Sequence, residues 1–333
     1  MVSTHYVADE PTSRAPVHWP LTAQLYLPAA WATESARRAK GHVPTAVSLR
    51  TKPALALTLG EQARAGDGPF AWVVTDAGYG DNPTFLAGLD ARQVAYVVGV
   101  SRTFGVRQPD EVRVAAGVSL SRPRGRGQPK KPRPAPLDQA TAVLEALPAD
   151  RWQPLTWREP AGVALRKQFV ARRVHWATGG AQLSPRHHRV FTGPEGWLLG
   201  ERPVPGEHGD VKWYYSKLPA ATRRHRLVAL APSRWPIEQC YEDAKGECGL
   251  AHYQGRRWDG LARHLALVML AYSFLAGQRW IPADMAGFSP LRDTPVVPGS
   301  PSPGAGVAFP RCGAVAHGNE PNCPLLPQAD LTK

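Results

Sequence analysis

Two carboxylates and two cations stand where they could act on a phosphate. Asp76 directly follows the apolar run Phe70–Thr75. Such a run is the pattern of a strand buried on both faces. A carboxylate just past its end lies at the carboxyl edge of an α/β sheet, where open sheets place their active sites. Gly78 and Gly80 allow a sharp turn and the close approach of a bulky ligand. Asp76 could equally cap the helix expected over Pro83–Leu89 or bond its own turn, and position alone leaves both readings open.

The other three residues lie in the run Arg234-Trp-Pro-Ile-Glu238-Gln-Cys-Tyr-Glu-Asp-Ala-Lys245. At roughly 100° per residue, Glu238 falls about 40° from Arg234 and Lys245 about 20° from Glu238, so all three share one helical stripe. Pro236 requires Arg234 to sit in or just before the first turn. A carboxylate between two cations suits a metal ligand bordered by side chains that grip phosphate. A solvated face with i,i+4 ion pairs has the same spacing. Further on, Arg256, Arg257, Arg263 and His264 interleave with Tyr253 and Trp258. That mixture fits a nucleic-acid surface, and it fits the exposed side of an amphipathic helix as well.

Several elements must position these groups. Phe70–Thr75, a helix over Pro83–Leu89 and a second apolar run at Val94–Val100 form a βαβ unit, which implies a parallel sheet. Short strands are expected at Val2–Val7 and Thr22–Leu27, and helices at Trp31–Lys40 and Leu55–Arg64. Ser121–Pro136, basic and proline-rich, reads as an extended connector. A helix beginning near Asp138 follows. Phe169–Trp176, Arg189–Phe191, Trp197–Glu201 and Val211–Ser216 read as an antiparallel β-rich segment. Helices return at Ile237–Glu247 and Leu261–Trp280. The fold class is therefore α/β, a core interrupted by a β-rich insertion and followed by C-terminal helices.

With 333 residues, 43% of them hydrophobic, the chain can bury one large core or two ordinary ones. Forty Lys and Arg against 27 Asp and Glu leave a net charge of +13, which favours a polyanionic partner. The same surplus disfavours a carboxylate-pair glycosidase, which also leaves the flanking Arg and Lys unexplained. Cysteines at 240, 248, 312 and 323 form no Cys-x-x-Cys pair and read as reduced thiols. Met1–Glu10 carries His5, Asp9 and Glu10 and no apolar core, unlike a secretory signal. Leu265–Gly277 is too short for a membrane span. The expected location is the bacterial cytoplasm, at the nucleoid.

The segment Arg234–Lys245 resembles the R-x3-E-x6-K part of the YREK signature of insertion-sequence transposases. These are DDE-superfamily enzymes with a ribonuclease H-like core. The resemblance continues through Gly246–Leu250, His252-Tyr253, Trp258 and the helix at 265–275. It also takes in Leu25–Trp31, Thr51-Lys52-Pro53, Trp72–Gly80, Trp197-Leu-Leu and Tyr214–Pro219. It implies that Asp76 and Glu238 are the second and third acids, catalytic and metal-binding, and that Arg234 and Lys245 hold DNA phosphates. It further implies two Mg2+ (or Mn2+) ions, with transposon ends and target DNA as partners, and the possibility of a homo-oligomer on DNA.

The sequence departs from that pattern in places. Ala231 stands where the signature has tyrosine. The family's first aspartate belongs to an opening core strand upstream of the part corresponding to Val2–Leu27, and Asp9, in a loop context, does not take its role. The likeness ends near residue 282. The expected organisation is a partial core over 1–110, the basic linker and β-rich insertion over 111–225, core helices over 226–282, and a Pro/Gly-rich tail without regular structure over 283–333. The expectation is an N-terminally truncated, inactive transposase. A non-catalytic DNA-binding remnant and a ribonuclease H-like nuclease are the alternatives.

Overall fold

A computed structural model of the chain describes residues 1–7, 18–66, 70–112, 137–158, 164–179, 191–231, 233–278 and 312–318. The linker Ser121–Pro136, Asp9, Arg189 and Cys323 lie outside the described residues.

In chain order the elements begin with β1 (Val2–Val7), β2 (His18–Gln24), α1 (Ala29–Thr33), α2 (Ser35–Lys40), α3 (Lys52–Ala65), β3 (Phe70–Thr75), α4 (Ala77–Gly80), α5 (Pro83–Ala91) and β4 (Ala95–Val100). There follow β5 (Gly105–Arg107), β6 (Asp138–Gln139), α6 (Ala140–Glu145), β7 (Gln153–Arg158), β8 (Ala164–Thr178), β9 (Phe191–Pro203) and β10 (Lys212–Ser216). The last are α7 (Arg224–Leu230), α8 (Trp235–Gly246), α9 (Trp258–Gln278) and β11 (Cys312–Gly318).

The described strands form one mixed sheet in the order β2-β1-β11-β3-β4-β10-β9-β8-β5-β6, with β7 beside β8. The neighbours β11, β3 and β4 run parallel. Alternation along β3 and β4 sends Val73, Tyr96 and Val98 to one face and Trp72, Val74 and Val97 to the other. Leu55 and Leu59 of α3 and Phe85 and Leu86 of α5 cover the first face. Leu227 of α7, Ile237 and Ala244 of α8, and Leu265 and Val268 of α9 cover the second. The result is a three-layer α/β/α sandwich. Local chemistry sets the helix starts: Thr51 Oγ1 accepts from the Ala54 amide at 3.3 Å, and Asn82 Oδ1 from the Phe85 amide at 3.0 Å. A proline follows each cap.

The structure departs from the sequence reading in four places. The helix expected over Trp31–Lys40 is two short ones, broken at Glu34, whose backbone is extended (φ −90°, ψ 107°). The second strand is His18–Gln24, not Thr22–Leu27; it lies at the sheet edge, where Pro20 is tolerated, and a register shift by Thr4 and His5 accommodates it. The β-rich segment continues the core sheet, because β10 pairs with β4 and β9 and β8 follow outward.

The fourth departure concerns the segment 283–333, expected to lack regular structure. Its residues Cys312–Gly318 form β11, inserted between β1 and β3. β11 is antiparallel to β1, with Ser3 opposite His317, and parallel to β3, with Ala316 opposite Thr75. A five-residue run of small and apolar residues carries too little periodicity to stand out, and strand pairing with distant partners overrides that weak local signal.

The helix α9 has 21 residues, longer than its apolar segment suggests, and by length and composition it could cross a membrane. Leu261, Leu265, Val268 and Tyr272 pack one side of it into the core, while Leu267, Leu270 and Phe274 are exposed.

Candidate functional site at the carboxyl edge of β3

Asp76 ends β3 and caps α4: its Oδ1 accepts from the Tyr79 amide at 3.3 Å. The turn it opens is pressed onto β4. A β-carbon at Gly80 would stand 1.9 Å from the Gly99 carbonyl oxygen, so only glycine permits this approach. Tyr79 is buried against Phe85, with ring centroids 5.3 Å apart, and its hydroxyl has no hydrogen-bond partner among the described residues. Burial pushes the Tyr79 phenol above its ordinary range, and the nearby Asp76 carboxylate and Tyr241 hydroxyl add to the effect.

Tyr241 belongs to α8, one turn beyond Glu238 on the same side of the helix. Its hydroxyl is 2.7 Å from Ser3 Oγ of β1, and Ser3 Oγ is 2.9 Å from His5 Nε2. Ser3, Thr4 and His5 are all buried. This polar cluster was not singled out from the sequence. Its available signal is three consecutive polar residues inside an otherwise apolar strand.

The structure places Arg234 at the N-cap of α8, with Pro236 in the first turn as its position requires. Glu238 also stands in that first turn and Lys245 in the last, a polarity that suits the helix dipole. Arg234 and Glu238 are brought together in an ion pair through Glu238 Oε1. The other oxygen, Oε2, is buried and has no partner among the described residues. A buried carboxylate oxygen without a donor is the kind of atom a cation satisfies, so Glu238 fits a metal-ligand role. Lys245 is exposed, seven residues and roughly 10 Å further along the helix. It does not join the Arg234–Glu238 pair. Among the described residues, no group of three or more His, Cys, Asp or Glu side chains is arranged to hold a metal ion.

Another carboxylate missed in the sequence lies nearby. Glu201 on β9 is 1% exposed, pairs with Lys167 of β8 and accepts from the Tyr214 hydroxyl at 3.0 Å. The positive charge of Arg234 acts on Tyr214, so this buried network adjoins the start of α8.

Beyond α8, Arg256, Arg257 and Arg263 are exposed. Arg257 grips Asp259 at 3.0 and 3.2 Å, and Arg263 reaches the same carboxylate at 3.5 Å. One acid thus serves two arginines, and the surface stays basic. His264 bonds the Gly249 carbonyl at 3.1 Å and lies against Tyr253, with ring centroids 5.4 Å apart, so it is a structural residue.

Residues 1–162 match the family model described as DDE superfamily endonuclease. The full sequence matches no curated protein. The matched span runs from β1 to β7 and contains Asp76; Arg234, Glu238 and Lys245 lie beyond it. The first part of the chain is therefore similar to DDE superfamily endonucleases, and the mixed α/β sheet is consistent with a ribonuclease H-like domain.

Proposed function

We propose that this chain is a DDE transposase of the insertion-sequence, YREK-signature type, whose site for phosphodiester chemistry on DNA is built on Asp76 and Glu238. The observation that carries the reading is the meeting of α8 with the carboxyl edge of the sheet. Tyr241, one turn from Glu238, bonds Ser3 and acts on Tyr79, and Tyr79 lies in the turn that Asp76 caps. The endonuclease match over residues 1–162 supports the assignment of Asp76.

Mg2+ or Mn2+ would be held by Asp76 and Glu238, and when bound would activate water or a 3′ hydroxyl and stabilise the leaving oxygen. The remaining roles belong to the protein. Asp76 is fixed by its bond to the Tyr79 amide and by the tight Gly80–Gly99 contact. Arg234 orients Glu238 through Oε1 and leaves Oε2 for a cation. Arg234 and the exposed Lys245, on one stripe of α8, would hold DNA phosphates, and Arg256, Arg257 and Arg263 would extend the basic path. DNA, as transposon ends and target, is the partner, in the cytoplasm at the nucleoid; a homo-oligomer on DNA fits such a substrate. No described residue takes the role of the family's first aspartate, so the chain alone is expected to join no DNA.

Calorimetric titration with Mn2+ tests the site. Binding should weaken with Asp76→Asn and with Glu238→Gln, and binding indifferent to both would overturn the assignment. Strand transfer by the purified chain, abolished by Asp76→Ala, would overturn the claim of inactivity. A second reading, DNA binding without turnover, is favoured by the ion pair that occupies one Glu238 oxygen. It expects salt-sensitive DNA binding unchanged by Glu238→Gln.

A further inference from the structure

On the sheet face opposite α8, a cavity of about 200 Å3 opens between α3 and α5. Among the described residues, Leu57 and Gly60 of α3, Phe85 and Leu89 of α5, and Phe70 and Val73 of β3 form its apolar walls. Gly60 sits inside a 14-residue helix, where glycine is a costly choice and the backbone does not require it. A β-carbon added there would meet nothing within 4 Å, so the space a side chain would fill stays open to the cavity. Gly88 of α5 gives the contrast. Its β-carbon would fall 2.5 Å from Leu57 Cδ1, so the two helices touch beside the cavity and part at Gly60.

The rim is charged. Arg64 lies one turn beyond Gly60, with its guanidinium 5.5 Å from the centre of the Phe70 ring. One of its N–H groups reaches the Arg92 carbonyl at 3.5 Å. Arg92 is itself held by Glu61 at 2.7 Å and by the Gly88 carbonyl at 2.9 Å. Two cations and one acid leave the mouth net positive, and the exposed Arg64 keeps most of its donors for another partner.

We propose that this cavity binds a single-ring aromatic carboxylate, with the ring between α3 and α5 and the carboxylate on Arg64. The site is separate from Asp76 and Glu238, because α8 covers the other face of the sheet. Size sets the ring. An apolar cavity of about 150 Å3 takes up benzene, and this one is moderately larger. Drug-sized ligands need about 300 Å3 or more, which excludes larger ring systems. Phe70 and Phe85 offer the aromatic surroundings in which a ring gains beyond its buried area alone. Charge sets the other end: a guanidinium is the planar partner of a carboxylate, and an uncharged ring would leave it unused.

Calorimetric titration of the full chain with benzoate tests this. The wild type should bind benzoate, and toluene, which has the ring without the charge, should bind at least about tenfold more weakly. Gly60→Leu fills the cavity and should abolish benzoate binding while keeping or raising the thermal midpoint. Arg64→Met keeps an apolar stem and removes the charge. It should weaken benzoate binding at least about tenfold and leave toluene binding unchanged. Because Arg64 is exposed, this variant decides the question even if Gly60→Leu does not fold. No benzoate binding by the wild type, binding retained in a folded Gly60→Leu protein, or equal affinity in Arg64→Met would overturn the proposal.

Discussion

Replacing Gly80 with alanine adds one methyl group to the last residue of a helical turn, a change that in an unpacked helix stabilises by up to about 1 kcal/mol. Here the sign should reverse. The new β-carbon would stand 1.9 Å from the Gly99 carbonyl oxygen, where ordinary contact begins at 3.4 Å. The obstacle is backbone near the end of β4, so no side chain can swing aside. The turn must retreat from the strand by the difference, carrying the residues that Asp76 caps. Overpacking of this kind costs roughly 1–3 kcal/mol, and more where the backbone cannot yield. A net loss of about 2 kcal/mol or more is expected in urea denaturation. Gly99→Ala is the graded control. Its β-carbon would meet the Ala77 amide nitrogen at 3.1 Å and Asp76 backbone atoms at 3.3 and 3.5 Å, so shifts of a few tenths of an ångström suffice. Its loss should stay below about 1 kcal/mol. Mn2+ affinity, read by calorimetry, should fall further in Gly80→Ala than in Gly99→Ala, because a ligand displaced by an ångström is badly placed. A Gly80→Ala protein within about 0.5 kcal/mol of wild type would refute the claim that this contact sets the position of Asp76.

Three further outcomes follow from the geometry. Glu201→Gln removes the charged partner of Lys167 in a nearly dry setting and should cost about 1–3 kcal/mol in denaturant melts; much of this should return in the double variant with Lys167→Met. Stability should fall as pH rises above about 9–10, the ordinary thiol and phenol values. Burial pushes Cys240 up to about 12 and raises Tyr79, Tyr96, Tyr214 and Tyr215, so the native chain keeps protons that the unfolded chain releases. Urea midpoints measured from pH 8 to 11 should decline in step, and a flat profile would contradict the burial of these groups. Arg234→Ala and Lys245→Ala should each lower the slope of log DNA affinity against log salt by about one, as expected for the loss of one phosphate contact. An unchanged slope would remove that residue from the DNA surface.

Periodicity made some of this legible in advance. Phe70–Thr75 is a strand with the bounds its apolar run suggests, and Asp76 follows it as expected. The stripe Arg234–Glu238–Lys245 lies on a helix, with Pro236 marking its start. What the pattern could not reveal is contact between distant residues. Ser3 and Tyr241 are 238 positions apart, and no local spacing announces their bond. The run Cys-Gly-Ala-Val-Ala at 312–316 is too short to distinguish a strand from a turn, and only its pairing with β1 and β3 defines it. Glu34 breaks a helix whose residues all permit one, and no local spacing announces the break.

The position of β11 has a consequence for how the chain reaches its native state. Residues 2–7 and 70–75 leave the ribosome early, yet the strand that joins them is made of residues 312–318. Until that segment emerges, the nascent sheet has a gap between β1 and β3 flanked by two unpaired edges, and such edges invite pairing with foreign chains. Closing the gap is the most non-local step in the sheet and should set the pace of folding. A cut anywhere between residues 279 and 311 would leave a peptide whose return to that gap can be followed as a binding reaction.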